Sequence, residues 1–160
     1  MNGIQLLEFY GFIFGQMLPA NAMVRVNPVP EKNIILPCKA DYLILAEFMR
    51  ILSPEFVSSF NLKIINIHHS FLPAFIGSNP YKQAYTRGVK TIGATAHFVK
   101  NDLDDGPIIV QKTITINHSY KLADLIKAGR ENETAALARA MQLVFEDRLF
   151  VYNNKTVVFE

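Results

Sequence analysis

Strand-length apolar runs alternate with helix signals through the middle of the chain, and this alternation restricts the possible folds more than any other feature. The runs "DYLILAEF" (41–48) and "KIINI" (63–67) are rich in apolar residues, as is typical of strands buried on both faces. Between them, Ser53 is predicted to cap a helix whose first residue is Pro54. This order of strand, helix and strand indicates an α/β domain with a mostly parallel sheet flanked by helices.

The second half of the chain continues the pattern. Asn79, Pro80 and Gly88 bound a predicted helix, and strands are predicted at 91–99 and 108–116 on either side of the loop "NDLDDGP". Ligands of such a sheet bind beyond the carboxyl ends of its strands, so chemistry is expected at the end of "KIINI". The remaining predicted features are a long helix after Ser119 with the weak helix former Gly129 in its middle, and a closing hairpin around Asn153 and Asn154.

Composition excludes several classes of protein. The length of 160 residues suits one domain, and the net charge of +2 comes from basic residues that are scattered along the chain. A scattered distribution does not form the basic surface that nucleic-acid binding requires. The single cysteine, Cys38, excludes an internal disulfide and a cysteine metal cluster. It fits a reducing compartment, so a cytoplasmic location is predicted.

The apolar N-terminal stretch "GIQLLEFYGFIFGQMLPANA" requires a separate interpretation. No Lys or Arg precedes it, which argues against a secretory signal. Glu8, Gln16 and Pro19 interrupt it, and it is too short to span a bilayer, so no membrane association is predicted. We predict an apolar helix or an irregular segment packed on the domain.

Polar residues stand at the end of the second predicted strand, in "KIINIHHSFLPAF". If this segment stays extended, Asn66 and His68 point to one side of the sheet and His69 points to the other. An imidazole, an amide and a carboxylate from "DLDDGP" suit attack on a carbonyl carbon. The His spacing does not suit a metal site. Spacing alone leaves two interpretations open, a catalytic group and a polar strand end with satisfied hydrogen bonds, and it favours the second.

Three longer blocks together resemble the formyltransferase-fold family: "LAEFMRILSPEFV", "INIHHSFLPAFIGSNPYKQAYTRGVKTIGATAHFV" and "DLDDGPIIVQ". The resemblance covers about residues 40–159. Within the family, the His-His-Ser at His68–Ser70, "INHSY" and "NKTVVF" are similar to formyltetrahydrofolate deformylase, whereas phosphoribosylglycinamide formyltransferase usually has His-Pro-Ser. The resemblance implies a Rossmann-like fold with a long C-terminal helix and a β-hairpin.

The resemblance also implies which residues form the site. The catalytic residues would be Asn66, His68 and Asp104, with His97 supporting them. Folate would contact two segments, which are Phe48, Met49, Arg50, Ile51 and Leu52, followed by Val99, Lys100 and Asn101.

The implied reaction is hydrolysis of 10-formyltetrahydrofolate to tetrahydrofolate and formate, which supplies formate for purine biosynthesis in one-carbon metabolism. No metal or other cofactor is expected. Water would attack the formyl carbon, and Asn66 and protonated His68 would stabilise the oxyanion. Asp104 would help position or deprotonate the water, and His68 would then pass a proton to the departing folate nitrogen. Two alternatives remain open: formyl transfer to an amine, and an inactive remnant or folate-binding or interaction module.

The chain departs from the family pattern at its start. Residues 1–38 are interpreted as an unmatched apolar segment and residues 39–160 as a partial catalytic domain. An ACT-type regulatory domain and the first strands of the family fold are not recognised in the sequence, so we expect the back half of a longer enzyme. Loss of the first strand would leave an apolar sheet edge. The N-terminal segment, a second copy or a partner chain is expected to cover it.

Overall fold

The computed structural model describes residues 22–26, 41–48, 51–75 and 79–159. These ranges alternate strands and helices, and they confirm the predicted α/β class. The elements are β1 (Ala22–Val26), β2 (Tyr42–Ala46), α1 (Pro54–Ser59), β3 (Ile64–His68), α2 (Pro80–Arg87), β4 (Thr91–Phe98), β5 (Ile108–Thr115), α3 (Leu122–Phe145), β6 (Leu149–Tyr152) and β7 (Lys155–Val158).

The main sheet has the strand order β1-β2-β3-β4-β5 and is mixed in direction. Pairing is parallel from β1 to β3 and antiparallel from β3 to β5. The chain reverses between β3 and β4, in the connection that contains the 8-residue α2. β4 therefore begins at the end of the sheet where β3 finishes and runs back along it, with His68 opposite Thr95 and Ile65 opposite Phe98.

The first strand comes from the N-terminal segment. β1 pairs with β2 in parallel, with Ala22 opposite Tyr42 and Val26 opposite Ala46. This pairing covers one edge of β2 with part of the N-terminal segment. A sheet edge covered by this segment was one of the three expected arrangements. The predicted helix or irregular segment before residue 21 and the predicted domain boundary at residues 38 and 39 lie outside the described ranges. A second copy or a partner chain at the edge remains a prediction.

The two faces of the sheet pack against different helices, and the alternation of side chains along β3 shows on which face Asn66 lies. Neighbouring residues of a strand point to opposite faces. Asn66 therefore shares the face of Ile64, and its register partner is Leu45 on β2. That face packs on α1 through Phe56 and Val57. The other face packs on α3. The buried residues of this layer include Ile44, Ile65, Ile67, Ala94 and Ala96 on the strands and Ala136, Ala140 and Met141 on α3.

Several predicted local signals have the expected geometry. The Ser53 hydroxyl accepts a hydrogen bond from the Phe56 amide at 3.3 Å. Asn153 and Asn154 have φ angles of 46° and 61°, which suit the two central residues of a type I′ hairpin turn. Gly129 lies inside α3 where the Tyr81 ring of α2 approaches, and a Cβ atom there would come within 2.3 Å of that ring. Gly129 therefore permits close packing of the two helices.

Within the described ranges, no helix combines the length and apolar character needed to cross a membrane.

Candidate active site

Asn66 and His97 face each other across β3 and β4. They are direct partners in the antiparallel register, and the register shifts between Ala96 and His97. His97 Nδ1 lies 2.9 Å from the Phe98 carbonyl oxygen, which can only accept a hydrogen bond, so Nδ1 carries the hydrogen. In a neutral ring the other nitrogen, Nε2, then accepts a hydrogen bond from Asn66 Nδ2 at 3.3 Å. His97 thereby sets the orientation of the Asn66 amide.

Asp104 reaches the same place from the loop 99–107 between β4 and β5. Its Oδ2 lies 3.4 Å from His68 Nδ1, and its Oδ1 lies 3.7 Å from His97 Nε2. The loop is closed by a hydrogen bond from the Phe98 amide to the Pro107 carbonyl at 2.9 Å. Asp104 itself has a left-handed backbone with φ 55°, which is uncommon outside glycine and is tolerated well by Asp and Asn. The structure thus brings together the three residues predicted to be catalytic.

Burial and charge have opposing effects on the His68 imidazole. Burial lowers its pKa, while the Asp104 carboxylate raises it less strongly and the neighbouring His69 and His97 rings lower it further. The resting imidazole is therefore neutral near pH 7, which differs from the expected protonated His68. The carboxylate 3.4 Å from Nδ1 favours the neutral tautomer with its hydrogen on Nδ1, which keeps a lone pair on Nε2. His68 in this form is a proton acceptor.

Two buried polar atoms of the site have no hydrogen-bond partner in the described part of the chain. They are Asn66 Oδ1 and His68 Nε2. A buried polar atom left without a partner costs about 1–3 kcal/mol, so it marks a place where a ligand or water supplies the bond. Within the described ranges, no group of three or more His, Cys, Asp or Glu side chains is arranged to hold a metal ion.

A cavity next to this cluster collects most of the residues predicted to contact folate. Asn66, His97 and Asp104 form one part of its lining. Ile51 and Leu103 also line it and expose 76% and 66% of their surface, which leaves apolar side chains available to a ligand. Leu45, Asp102 and Leu103 also line the cavity and were not predicted as site residues. The predicted residues in the lining are Phe48, Ile51, Leu52, Val99, Lys100 and Asn101, whereas Met49 and Arg50 lie outside the described ranges.

Lys100 has a contact that the sequence did not predict. Its ammonium group donates a hydrogen bond to Asn154 Oδ1 at 2.6 Å. Asn154 lies in the turn between β6 and β7, far along the chain from the loop. No local motif links the two positions, so sequence reasoning did not find Asn154.

His69 does not point away from His68 as expected for an extended chain. β3 ends at His68, so the backbone bends and the two rings stack with centroids 5.5 Å apart and an interplanar angle of 9°. The centroid of the Tyr81 ring of α2 lies 6.1 Å from that of His69, and the Tyr81 hydroxyl donates to Glu133 of α3. His69 therefore packs between the site and α2.

Gly106 is expected to be essential for the path of the loop. A Cβ atom on Gly106 would lie 1.7 Å from the Phe98 carbonyl oxygen, the same atom that binds His97. Gly106→Ala should therefore displace the loop and lower the free energy of unfolding by about 1–3 kcal/mol, as overpacking does. Urea unfolding measures this change. Gly88→Asn is the control, because Gly88 has open space around its Cβ position and Asn tolerates the left-handed backbone there. Equal stability of both variants would contradict the expected clash.

Comparisons with known proteins identify the family of this chain. The family model described as formyl transferase matches residues 30–141. Formyltetrahydrofolate deformylase of Haemophilus influenzae is 58% identical over 118 residues, which cover 74% of this chain and 42% of that protein. The deformylase of Bacillus subtilis is 56% identical over 157 residues, which cover 97% of this chain and 52% of that protein.

A solved structure shows the same fold. The formyltetrahydrofolate deformylase of Pseudomonas putida aligns with a TM-score of 0.80 and 37% identity, over 98% of this chain and 65% of that one. The chain spans about half the length of the curated relatives it matches. The family match covers most of the chain, including β2, β3, β4 and the loop 99–107. This chain belongs to the formyl transferase family.

Proposed function

We propose that this chain hydrolyses 10-formyltetrahydrofolate to tetrahydrofolate and formate. The observation that carries the proposal is that Asn66 and Asp104 line one cavity, with His68 Nδ1 3.4 Å from the Asp104 carboxylate. A cavity that places apolar side chains such as Phe48 and Leu52 beside polar groups such as Asn66 and Asp104 suits a flat, polar-edged ring system such as a pterin. Similarity to proteins named formyltetrahydrofolate deformylase supports this substrate.

The proposed first step is attack of water on the formyl carbon. As the carbon–oxygen bond forms, a proton of the water passes to His68 Nε2, the atom that carries the lone pair. The Asp104 carboxylate, 3.4 Å from Nδ1, stabilises the imidazolium that results. The second hydrogen of Asn66 Nδ2 is donated to the developing oxyanion, since the first is held by His97.

The second step breaks the carbon–nitrogen bond. The electron pair of that bond goes to the departing folate nitrogen, and the proton held on His68 is returned to the same nitrogen. Formic acid leaves and loses its proton to water, and His68 is neutral again. The side chains and water supply every group in this scheme, so we propose that no cofactor takes part.

Formyl transfer to an amine uses the same site chemistry with a different nucleophile. The experiment is therefore incubation with 10-formyltetrahydrofolate labelled with ¹³C in the formyl group, with and without glycinamide ribonucleotide. Labelled formate formed at the same rate in both samples is the expected result. A labelled formamide product would favour transfer. Tight folate binding without either product would favour a binding module.

The proposed physiological role is the supply of formate for purine biosynthesis, in the cytoplasm. The carboxylate product is small and freely diffusing, so it can serve a separate formate-using enzyme. The sequence similarity to deformylases supports this role.

Replacing Asn66 by alanine is expected to lower kcat by about 10²–10³-fold, because one donor to the oxyanion is lost. The folate-contacting walls of the cavity remain, so KM should change little. Steady-state formate release at saturating substrate measures the effect. A loss below about tenfold would show that Asn66 does not stabilise the oxyanion.

A further inference from the structure

The loop that carries Asp104 is held by the C-terminal hairpin through one side chain. Asn154 accepts a hydrogen bond from the Lys100 ammonium group at 2.6 Å and donates one from Nδ2 to the Asp105 carbonyl at 2.9 Å. Lys100 precedes Asp104 in the loop, and Asp105 follows it directly. A single amide thus connects the two sides of the segment that presents the Asp104 carboxylate.

The hairpin that provides this amide is anchored independently of it. Thr156 of β7 donates from its hydroxyl to the Ile108 carbonyl of β5 at 2.6 Å. Leu149, Val151 and Val158 pack against the core between the sheet and α3. The hairpin is therefore a fixed support, and the loss of the Asn154 amide would free the loop without moving the hairpin.

The part of the loop around Asp104 is largely exposed, so it has little packing of its own to hold it in place. Asp104 also has a left-handed backbone with φ 55°, which is uncommon outside glycine although Asp tolerates it. Asp102, Leu103 and Asp105 are exposed. The contacts from Asn154 act on the same segment.

We propose that Asn154 is a positioning residue that holds the loop 99–107 so that Asp104 stays against His68. It contacts neither the reacting atoms nor the cavity, and it acts through Lys100 and the Asp105 carbonyl. The expected effect on rate rests on the proposed hydrolysis, but the effect on the loop does not.

Asn154→Gly is the test variant, because it removes the side-chain amide while keeping the turn. Glycine accepts the left-handed φ at this position, and Asn-Gly is a strongly preferred pair in type I′ turns. The melting temperature should therefore be unchanged or raised. Asn153→Gly is the matched control, since Asn153 shares the turn and its left-handed φ but takes no part in the two bonds.

The first measurement is the NMR titration of the His68 ring in the 160-residue chain. Groups that face His68 are Asp104 from the loop, His97 from β4 and His69 next to it. Only the Asp104 carboxylate among them raises the His68 pKa, so release of the loop should lower that pKa further in Asn154→Gly. Asn153→Gly should titrate as the parent chain does.

The second measurement is formate release. Asn154→Gly is expected to lower kcat by about three- to tenfold, the range that a net hydrogen bond supplies. Asn154→Asp keeps the acceptor for Lys100 and loses the donor to Asp105, so it should give an intermediate rate.

The outcomes separate the two proposals. An unchanged His68 titration and an unchanged kcat in Asn154→Gly would overturn the positioning role, as would equal effects in Asn153→Gly. A parent chain that releases no formate would overturn the proposed hydrolysis, while the His68 titration would still decide whether Asn154 positions the loop.

Discussion

Replacing His68 by glutamine is expected to lower kcat for formate release by about 10²–10⁴-fold, the range that a positioned acid–base group contributes. His68 is the only residue in the proposed scheme that both removes a proton from water and returns one to the leaving nitrogen. Glutamine has a similar length and an amide in place of the ring, so it preserves packing but cannot carry the proton. Folate affinity, measured by fluorescence titration, should change little.

The pH dependence of the parent chain provides an independent check of this role. Burial lowers the His68 pKa, and the neutral ring is the base in the proposed scheme. Activity should therefore be present above the His68 pKa and be lost as the pH falls through it, with a midpoint below the ordinary histidine value. If His68→Gln lost its remaining activity at the same low pH as the parent chain, the titrating group would be a residue other than His68. That result would contradict the scheme.

Replacing Asp104 by asparagine is expected to lower kcat by a similar amount, about 10²–10⁴-fold. Asparagine keeps the size of the side chain and tolerates the left-handed backbone at this position. It has no charge to stabilise the imidazolium, and its amide can donate to His68 Nδ1. That donation would favour a hydrogen on Nε2 and remove the lone pair that accepts the proton.

Asp105→Asn is the control for the Asp104 variant. It makes the same chemical change at the next residue, where the side chain is exposed and the carbonyl bonded to Asn154 is kept. Its kcat should stay within about twofold of the parent value, since surface substitutions away from special features have small effects. Equal losses in both variants would mean that loop charge in general, and not the Asp104–His68 pair, determines the rate.

The α/β class and most of the element positions could be predicted because they depend on local signals. Ser53 and Pro54 mark the start of α1, and Asn153 and Asn154 mark the hairpin turn. The direction of β4 could not be predicted, since a continuous apolar run looks the same in either direction.

The candidate site was predictable through resemblance and not through spacing. Asn66 and His68 share one strand, but Asp104 arrives from a loop whose path depends on Gly106 and on Asn154. Such long-range contacts leave no local pattern in the sequence. His69 was expected to point away from His68 because the strand was taken to continue, and the strand instead ends at His68. The neutral resting state of His68 follows from burial, which also depends on the folded structure.

The most direct test of the central claim is formate release from 10-formyltetrahydrofolate by the purified 160-residue chain, measured together with tetrahydrofolate. The parent chain should release the two products in equal amounts, and His68→Gln, tested in parallel, should release them at a rate lower by about 10²-fold or more. A folded parent chain that binds folate but releases no more formate than His68→Gln would contradict the proposed hydrolysis.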